Sequence, residues 1–576
     1  MTQFRTGVPP LETLPPGPRR RLPSHVWIVA VLLGLGALLR IGHLGFDPVS
    51  LARNGPAVDD SYYYFGIARN LLSGLGVTHD GVHPTAGFHP AWMAIVVAVT
   101  AIAGPDPYLP VAATLYLQVL LALATGIALF RVARRVSGVE GALFAVLAWS
   151  VMPPFVVESI NGLETGLACL AAVLGLGAHL SAIVPSNGRP PLRTALAVGA
   201  LYGFLILCRL DLGLLAAILG GHWLLLVLRS ARGEKGQPAR ALAAATLAGV
   251  LVVTPWFAFV HAQTGGLLPE SGAATRTIAL AYGTRPGEPD TVHGDMESPN
   301  ADFYAAQILA GVRETLTRPT WWPVTAATTA LRETGLIPGG AKGLGVTGGV
   351  LALAWFGWRM VRRRRGTEVA APGARVVGPL VLLVSVGYVT AYSLFVFGSW
   401  WFQRYYMPMM TLWMLYSALP LQRSFDAIRR QSSDGKARLA AILLATGALT
   451  WSLAGREAQQ GRMNPTAPYW EMAELVDRIL PEGTRLGAFQ SGTLAYASRH
   501  TVINLDGVVN GDAAAAVREG RVLRYAMDEG VDCILDWPHV LQDLLVLRSQ
   551  PDPAVRLRPV ARGSMDLLCL EKPSGP

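Results

Sequence analysis

The chain has 576 residues, of which 52% are hydrophobic and only 15% charged, against about 25% charged in an ordinary soluble domain. With a mean hydropathy of +0.38, that balance excludes a soluble globular protein and points to a polytopic membrane protein. The net charge of +10 does not imply a nucleic-acid partner, because the lysines and arginines gather in short clusters between apolar runs, where they act as topology signals.

A Pro-rich, Arg-rich tail with Arg19, Arg20 and Arg21 precedes the first apolar run, Val26 to Leu44, which lacks a small-residue cleavage site and reads as a retained first span. At about 1.5 Å per residue this run is long enough to cross a bilayer. The acidic pair Asp59 and Asp60 then lies just past the far membrane face, at a depth where a carboxylate is costly to desolvate. The next apolar stretch, His89 to Gly104, is expected to lie in the interface, because a crossing there would put Arg131, Arg134, Arg135 and the later basic loops outside.

The remaining spans are expected at Tyr108 to Val132, Val139 to Val157, Thr165 to Val184, Thr194 to Cys208, Leu212 to Leu228 and Ala241 to His261. Four more follow, at Leu344 to Met360, Val376 to Phe397, Met407 to Leu421 and Leu439 to Leu453, about eleven in all with the first. The basic clusters, among them Arg229, Arg232 and Lys235 and the run Arg362 to Arg365, then fall on the side of the N-terminal arginines. Four loops share the other face with the acidic pair. They are Glu158 to Glu164 (ESINGLE), the turn Arg209, Leu210 and Asp211, the long segment Gln263 to Gly343, and Gly398 to Tyr406 (GSWWFQRYY). A loop as long as the third is usually functional or separately folded. Part of it, about Asn300 to Arg332, has helical spacing of Phe303, Ile308, Val312 and Leu316, followed within the segment by the interface anchors Trp321, Trp322 and Pro323.

From Arg456 the composition becomes that of a soluble domain, giving a division into a transmembrane unit, 1–455, and an outer domain, 456–576. The outer part alternates helix-like and strand-like runs: helix Trp470 to Leu480, strands Arg485 to Phe489, Thr501 to Asn504 and Val531 to Asp536 with helices between, then β runs Val555 to Val560 and Met565 to Glu571. That alternation predicts a small α/β domain with a largely parallel sheet. Its GAFQSG segment is Gly-rich without the spacing of a dinucleotide fingerprint. Cys169 and Cys208 fall in apolar runs and read as buried small residues, while Cys533 and Cys569 in the outer domain are either free or paired as a disulfide.

Transfer of a sugar from a phosphate-linked donor to a hydroxyl needs a base for the alcohol and positive charge for the departing phosphate. A carboxylate and an arginine at the membrane face supply these, the arginine through charge-assisted, bidentate hydrogen bonds. The segments AVDDSYYYFGIARN, GLGVTHDGVHPTAGFHPAW, NGLET, the Arg-x-Asp turn and QRYYMP, in this order and on this side, resemble the GT-C superfamily of integral-membrane glycosyltransferases. The likeness is to the bacterial branch with protein mannosyltransferase-like enzymes, aminoarabinose transferases and arabinofuranosyltransferases.

That resemblance implies a GT-C-like helical membrane fold with interfacial helices and an extracytoplasmic C-terminal α/β domain. It implies transfer from a polyprenyl-phosphate sugar donor to a glycan, lipid or protein acceptor, among membrane lipids, on the outer face of the cytoplasmic membrane. It makes Asp59 the expected catalytic base with Asp60 orienting acceptor or metal, although the two are interchangeable. Glu164, with Glu158 as the alternative, matches the family's second-loop acid, and the phosphate-binding candidates are Arg404, then Arg276 and Arg209. No paired-acid motif for a metal occurs in the second loop, so a divalent metal is left open.

Several candidates carry structural readings as well. Arg209 and Asp211 form either an ion pair capping the turn or part of the site, and Arg404 either snorkels or binds phosphate beside Tyr405 and Tyr406. His79, His83 and His89 lack zinc-site spacing and are expected to hydrogen-bond substrate or backbone, with His89 assigned to substrate. Tyr62, Tyr63 and Tyr64 are expected to pack the loop helix against the interface. The competing functions are a flippase or transporter for lipid-linked sugars, disfavoured because the charges sit at span ends with no internal repeat, and a non-catalytic outer scaffold.

Overall fold

The computed structural model describes residues 24–230, 235–283, 305, 308, 309, 372–395, 403–431, 466–546 and 556–571. Within them, six helices are long and apolar enough to cross a membrane: His25–Leu44, Leu109–Val136, Thr165–Ile183, Leu212–Arg229, Gly236–Thr264 and Gly373–Phe395. Three shorter apolar helices accompany them, Pro90–Ala103, Val139–Val151 and Leu192–Cys208. The expected spans at 344–360 and 439–453, the boundary at 455/456, the anchors Trp321, Trp322 and Pro323, and most of the helix expected from Asn300 to Arg332 lie outside the described residues. The expected crossing at 407–421 lies within a longer helix, Gln403–Gln431.

Helix α1 (Ser24–Leu44) is followed by a short turn in which the Asp47 carboxylate accepts from Ser50 N–H (2.8 Å) and starts α2 (Pro48–Asn54). Helix α3 (Asp59–Leu72) opens on the two aspartates, a favourable place for negative charge because the first turn's N–H groups are unpaired. Helix α4 (Pro90–Ala103) has 14 residues, about 21 Å at the helical rise and too short to cross alone.

Helix α5 (Leu109–Val136) crosses, but the run expected as one span from Val139 to Val157 is broken. Helix α6 (Val139–Val151) stops at Met152, whose extended backbone is what a following proline demands, and Pro153 and Pro154 open the short α7 (Pro153–Glu158). The break leaves backbone carbonyls without helical partners, and a buried arginine from α1 takes them up. Arg40, 2% exposed, donates to the carbonyls of Trp149 (3.1 Å) and Phe155 (3.0 Å), to Gly36 O (3.0 Å) and to the Ser159 hydroxyl (2.8 Å). Through it the first span fixes the loop that ends at Glu164.

Helix α8 (Thr165–Ala178) runs into a π-helical turn, His179–Ile183, then come α9 (Leu192–Cys208), α10 (Leu212–Arg229) and α11 (Gly236–Thr264). The buried His179 ring bonds Tyr202 Oη on α9 and His222 Nδ1 on α10, both at 2.8 Å, and stitches three helices with polar contacts inside an apolar bundle. Helices α9 and α11 touch backbone to backbone, since a Cβ on Gly199 would lie 2.0 Å from Ala245 O. Helix α12 (Glu270–Gly283) lies in the long segment after α11, and α13 (Pro372–Phe395) and α14 (Gln403–Gln431) complete the described part of the bundle.

The C-terminal part holds α15 (Ala467–Ile479), β1 (Leu486–Ala488), α16 (Gly492–Ala497), β2 (Val502–Asn504), α17 (Gly511–Arg518), α18 (Val522–Asp528), β3 (Cys533–Asp536), β4 (Arg556–Ala561) and β5 (Asp566–Glu571). The sheet has the order β2-β1-β3-β5-β4. Strands β2, β1 and β3 are parallel, as the helix-strand alternation predicted, whereas β5 and β4 are antiparallel, so the sheet is mixed. No helix separates β4 from β5, and two strands joined by a short turn can pair only in opposite directions. Apolar residues cover both faces, Ile503 and Ile534 against α17 and α18, Leu486 and Val502 against α15 and α16. Cys533 and Cys569 stand opposite each other on β3 and β5 and are joined as a disulfide, while Cys169 and Cys208 are buried and free.

Candidate active site

Successive residues on a helix point about 100° apart, and α3 uses this to aim its two aspartates at different neighbours. Asp60 faces the membrane part, where its Oδ2 takes a short hydrogen bond and ion pair from Nη2 of Arg404. Arg404 lies in the first turn of α14, and its own carbonyl has no helical donor because the residue four places on is Pro408. Arg209 fills that vacancy. Its guanidinium donates to the carbonyls of Arg404 (3.1 Å) and Tyr405 (3.0 Å) while Asp211 grips its other edge at 2.8 and 2.5 Å. Tyr392 of α13 donates to the same Asp211 carboxylate (2.6 Å), so Arg209 and Asp211 act as a bracket that sets the height of Arg404.

Tyr64 lies one turn beyond Asp60 on the same face of α3. Its hydroxyl donates to Glu164 Oε2 (3.0 Å) and accepts from the His89 backbone N–H (3.1 Å), which brings the loops ending at Glu164 and His89 to the Asp60 side of the helix. The His89 ring stands 3.8 Å from Glu164, and burial, opposed by that carboxylate, lowers its pKa. The expected residues Asp60, Glu164, His89, Arg209, Asp211 and Arg404 are thus linked through Tyr64 and α14 into one neighbourhood. Glu158 instead accepts from Asn161 (3.0 Å) within its own loop. Arg276, on α12, donates to Leu394 O (3.2 Å) with its guanidinium 5.9 Å from the Phe395 ring.

Asp59 faces the C-terminal domain. Its Oδ1 accepts from the Thr493 backbone N–H (2.7 Å), and burial, opposed by this bond and reinforced by Asp60, lifts its pKa to about 6. Of the three tyrosines expected at the lipid interface, Tyr62 and Tyr63 point the same way and Tyr64 points to Glu164 and His89, which corrects that reading. Tyr62 packs edge-on to Trp470 (6.2 Å) and against Tyr496 (5.4 Å), Tyr63 accepts a long bond from Asn504 (3.4 Å), and all three rings are buried by protein. At the far end of α3, Arg69 donates to the carbonyls of Tyr496 (2.8 Å) and Ala495 (3.3 Å), and its guanidinium lies 4.7 Å from the Tyr496 ring.

Of the loop histidines, His79 bonds a backbone carbonyl, Ser491 O (3.4 Å), whereas the His83 ring bonds the side chains of Asp80 (2.7 Å) and Glu529 (3.2 Å). Among the described residues no three His, Cys, Asp or Glu side chains are arranged to hold a metal ion. Asp59, Asp60 and Glu164 each have one carboxylate oxygen engaged, by Thr493, Arg404 and Tyr64 respectively. The sequence assigned no role to Arg40, Arg69 or Thr493, and to Tyr64 only packing against the interface. An arginine inside an apolar run and a tyrosine four places after an acid on a helix were signals for Arg40 and Tyr64.

The C-terminal region, residues 451–563, matches a family model described as a domain of unknown function, DUF8728. No curated protein matches the chain. Solved structures do. The chain is similar to ArnT from Cupriavidus metallidurans bound to undecaprenyl phosphate, at 13% identity and a TM-score of 0.52, covering 96% of this chain and 100% of that one. The apo form of the same ArnT gives 14% identity and a TM-score of 0.54 over 95% and 98% of the two chains. The Archaeoglobus fulgidus oligosaccharyltransferase tethered to an acceptor peptide gives 14% and 0.52 over 91% and 71%. The chain is a multi-pass membrane protein with the GT-C fold, and the matched region takes in both the helical bundle and the C-terminal α/β domain.

Proposed function

We propose that this protein is a membrane glycosyltransferase that moves a sugar from a polyprenyl-phosphate carrier to a hydroxyl of a cell-envelope glycan, lipid or protein. The observation that carries the reading is the Asp59–Asp60 pair set directly after the first span, with Asp60 against Arg404 and Asp59 held near neutrality. A carboxylate with a pKa of about 6 is ionised at pH 7 yet basic enough to take a proton. Asp59 is therefore the base and Asp60 its neighbour that orients the acceptor and holds Arg404.

In the step itself the acceptor oxygen forms a bond to the anomeric carbon while its proton passes to Asp59. The bond from that carbon to the phosphate oxygen breaks, and the lipid phosphate leaves with the electron pair. Arg404 offers two N–H groups to the departing oxygens, sharing its fork between phosphate and Asp60. The likeness to an ArnT bound to undecaprenyl phosphate supports a carrier lipid of this kind. The disulfide Cys533–Cys569 and the basic clusters on the opposite side support an outer face of the cytoplasmic membrane for the site.

The test is transfer of labelled sugar from polyprenyl-phosphate donors by the purified full chain. Asp59→Asn is expected to lower the rate by at least about 100-fold. Vesicles in which the protein moves a lipid-linked sugar between leaflets without any new glycosidic bond would overturn the reading in favour of a flippase.

A further inference from the structure

We propose that the Ser491–Gly492–Thr493 turn of the C-terminal domain is a positioning element for Asp59, which makes this domain a working part of the active site and not an appended binding module. The inference rests on the reading of Asp59 as the base for its catalytic consequence, and on geometry alone for the contact.

Three observations carry it. First, the turn touches Asp59 with backbone: Thr493 N–H donates to Oδ1 at 2.7 Å, and a Cβ on Gly492 would sit 2.3 Å from the Asp59 carbonyl oxygen and 3.2 Å from Oδ1. Only a residue without a side chain lets the two backbones come this close. Second, the turn is braced from behind. The Asp536 carboxylate accepts from the N–H groups of Phe489 (2.8 Å), Gln490 (2.9 Å) and Trp537 (2.8 Å), and Asn504 Nδ2 donates to Ser491 Oγ (3.0 Å). Third, α3 and α16 are pinned at both ends, by Asp59 with Thr493 at one and Arg69 with the Tyr496 and Ala495 carbonyls at the other.

A contact of this kind does two things to a carboxylate. It shuts out water, which raises the pKa, and it supplies one N–H, which lowers it; burial is the larger effect. The other titratable groups around Asp59 are Asp60, Tyr62 and Tyr63 on its own helix, and Asp536 and Tyr469 from the C-terminal domain. Moving the turn away hydrates Asp59, makes it a weaker base and frees its rotamer.

The test uses the full chain in detergent, with Gly492→Ala as the variant and Glu474→Ala as a control that breaks an exposed ion pair to Arg53 elsewhere between the two parts. Carbodiimide labelling of Asp59 is followed against pH by mass spectrometry, because the reagent modifies the protonated acid and needs no substrate. The half-labelling pH is expected at about 6 in the native chain and in Glu474→Ala, falling toward about 4 in Gly492→Ala. In the transfer assay Gly492→Ala is expected to lose about 100-fold in kcat with KM little changed. An unchanged labelling midpoint in Gly492→Ala overturns the proposal, as does an equal shift in Glu474→Ala, which would report general undocking. A shifted midpoint in a chain that transfers no sugar supports the turn's hold on Asp59 and sinks the transferase reading instead.

Discussion

Asp59 and Asp60 are adjacent in sequence but occupy different electrostatic surroundings, and that difference generates the sharpest expectations. Because burial raises Asp59 from the ordinary carboxylate value, the proton is held more tightly and the base is lost as pH falls through about 6. The rate of transfer is expected to decline on the acid side around that pH. Asp60→Asn removes the neighbouring negative charge, so this acid limb is expected to move to lower pH in a rate profile, and a limb that stays put would contradict the pairing. Arg404→Lys keeps the charge but loses the planar fork, and is expected to slow transfer by roughly tenfold or more. The aspartates and Arg404 were legible in the sequence because charged residues are rare in a chain only 15% charged and these fall in loops expected to share one face. Thr493 was not, because its contribution is a backbone N–H brought from 434 residues away, to which no residue type is specific.

Among elements, the break between α6 and α7 shows what hydropathy conceals. Apolar composition continues across Met152, so the run from Val139 to Val157 reads as one crossing, yet two prolines end the helix and hand its carbonyls to Arg40. Arg40→Met is expected to destabilise the bundle by on the order of 3 kcal/mol, since several buried carbonyls lose their donor together. Thermal unfolding in detergent measures this, and a melting temperature equal to the native one would remove Arg40 from the account. The same logic places the tyrosines of α3. Their amphipathic rings suggested a membrane interface, but the C-terminal domain covers Tyr62 and Tyr63 and the loops at Glu164 and His89 cover Tyr64, and nothing in a single helix's sequence tells one cover from the other.

At the scale of the whole molecule, the parallel half of the sheet was legible from the alternation of strands and helices, and the antiparallel β4–β5 pair was absorbed into it. Six apolar spans are present among the described residues where about eleven were expected over the whole chain. The C-terminal domain also carries a pH signature of its own. Burial raises Asp506 to about 8 and Asp536 to about 7, above the carboxylate value of the unfolded chain. A raised folded pKa gives stability that is complete below the unfolded value and is lost as pH rises through the folded one. The full chain is therefore expected to melt at lower temperature at pH 8 than at pH 5, and Asp506→Asn, which keeps an acceptor for Val508 N–H, to narrow the gap. The central claim is that Arg404, held by the Arg209–Asp211 bracket beside Asp60, receives the carrier phosphate. A cryo-electron-microscopy map of the full chain with undecaprenyl phosphate tests it most directly. The account predicts phosphate density within hydrogen-bonding reach of the Arg404 guanidinium, on the face of α3 that bears Asp60. Density on the opposite membrane face, or a phosphate bound away from Arg404 and Asp60, would contradict it.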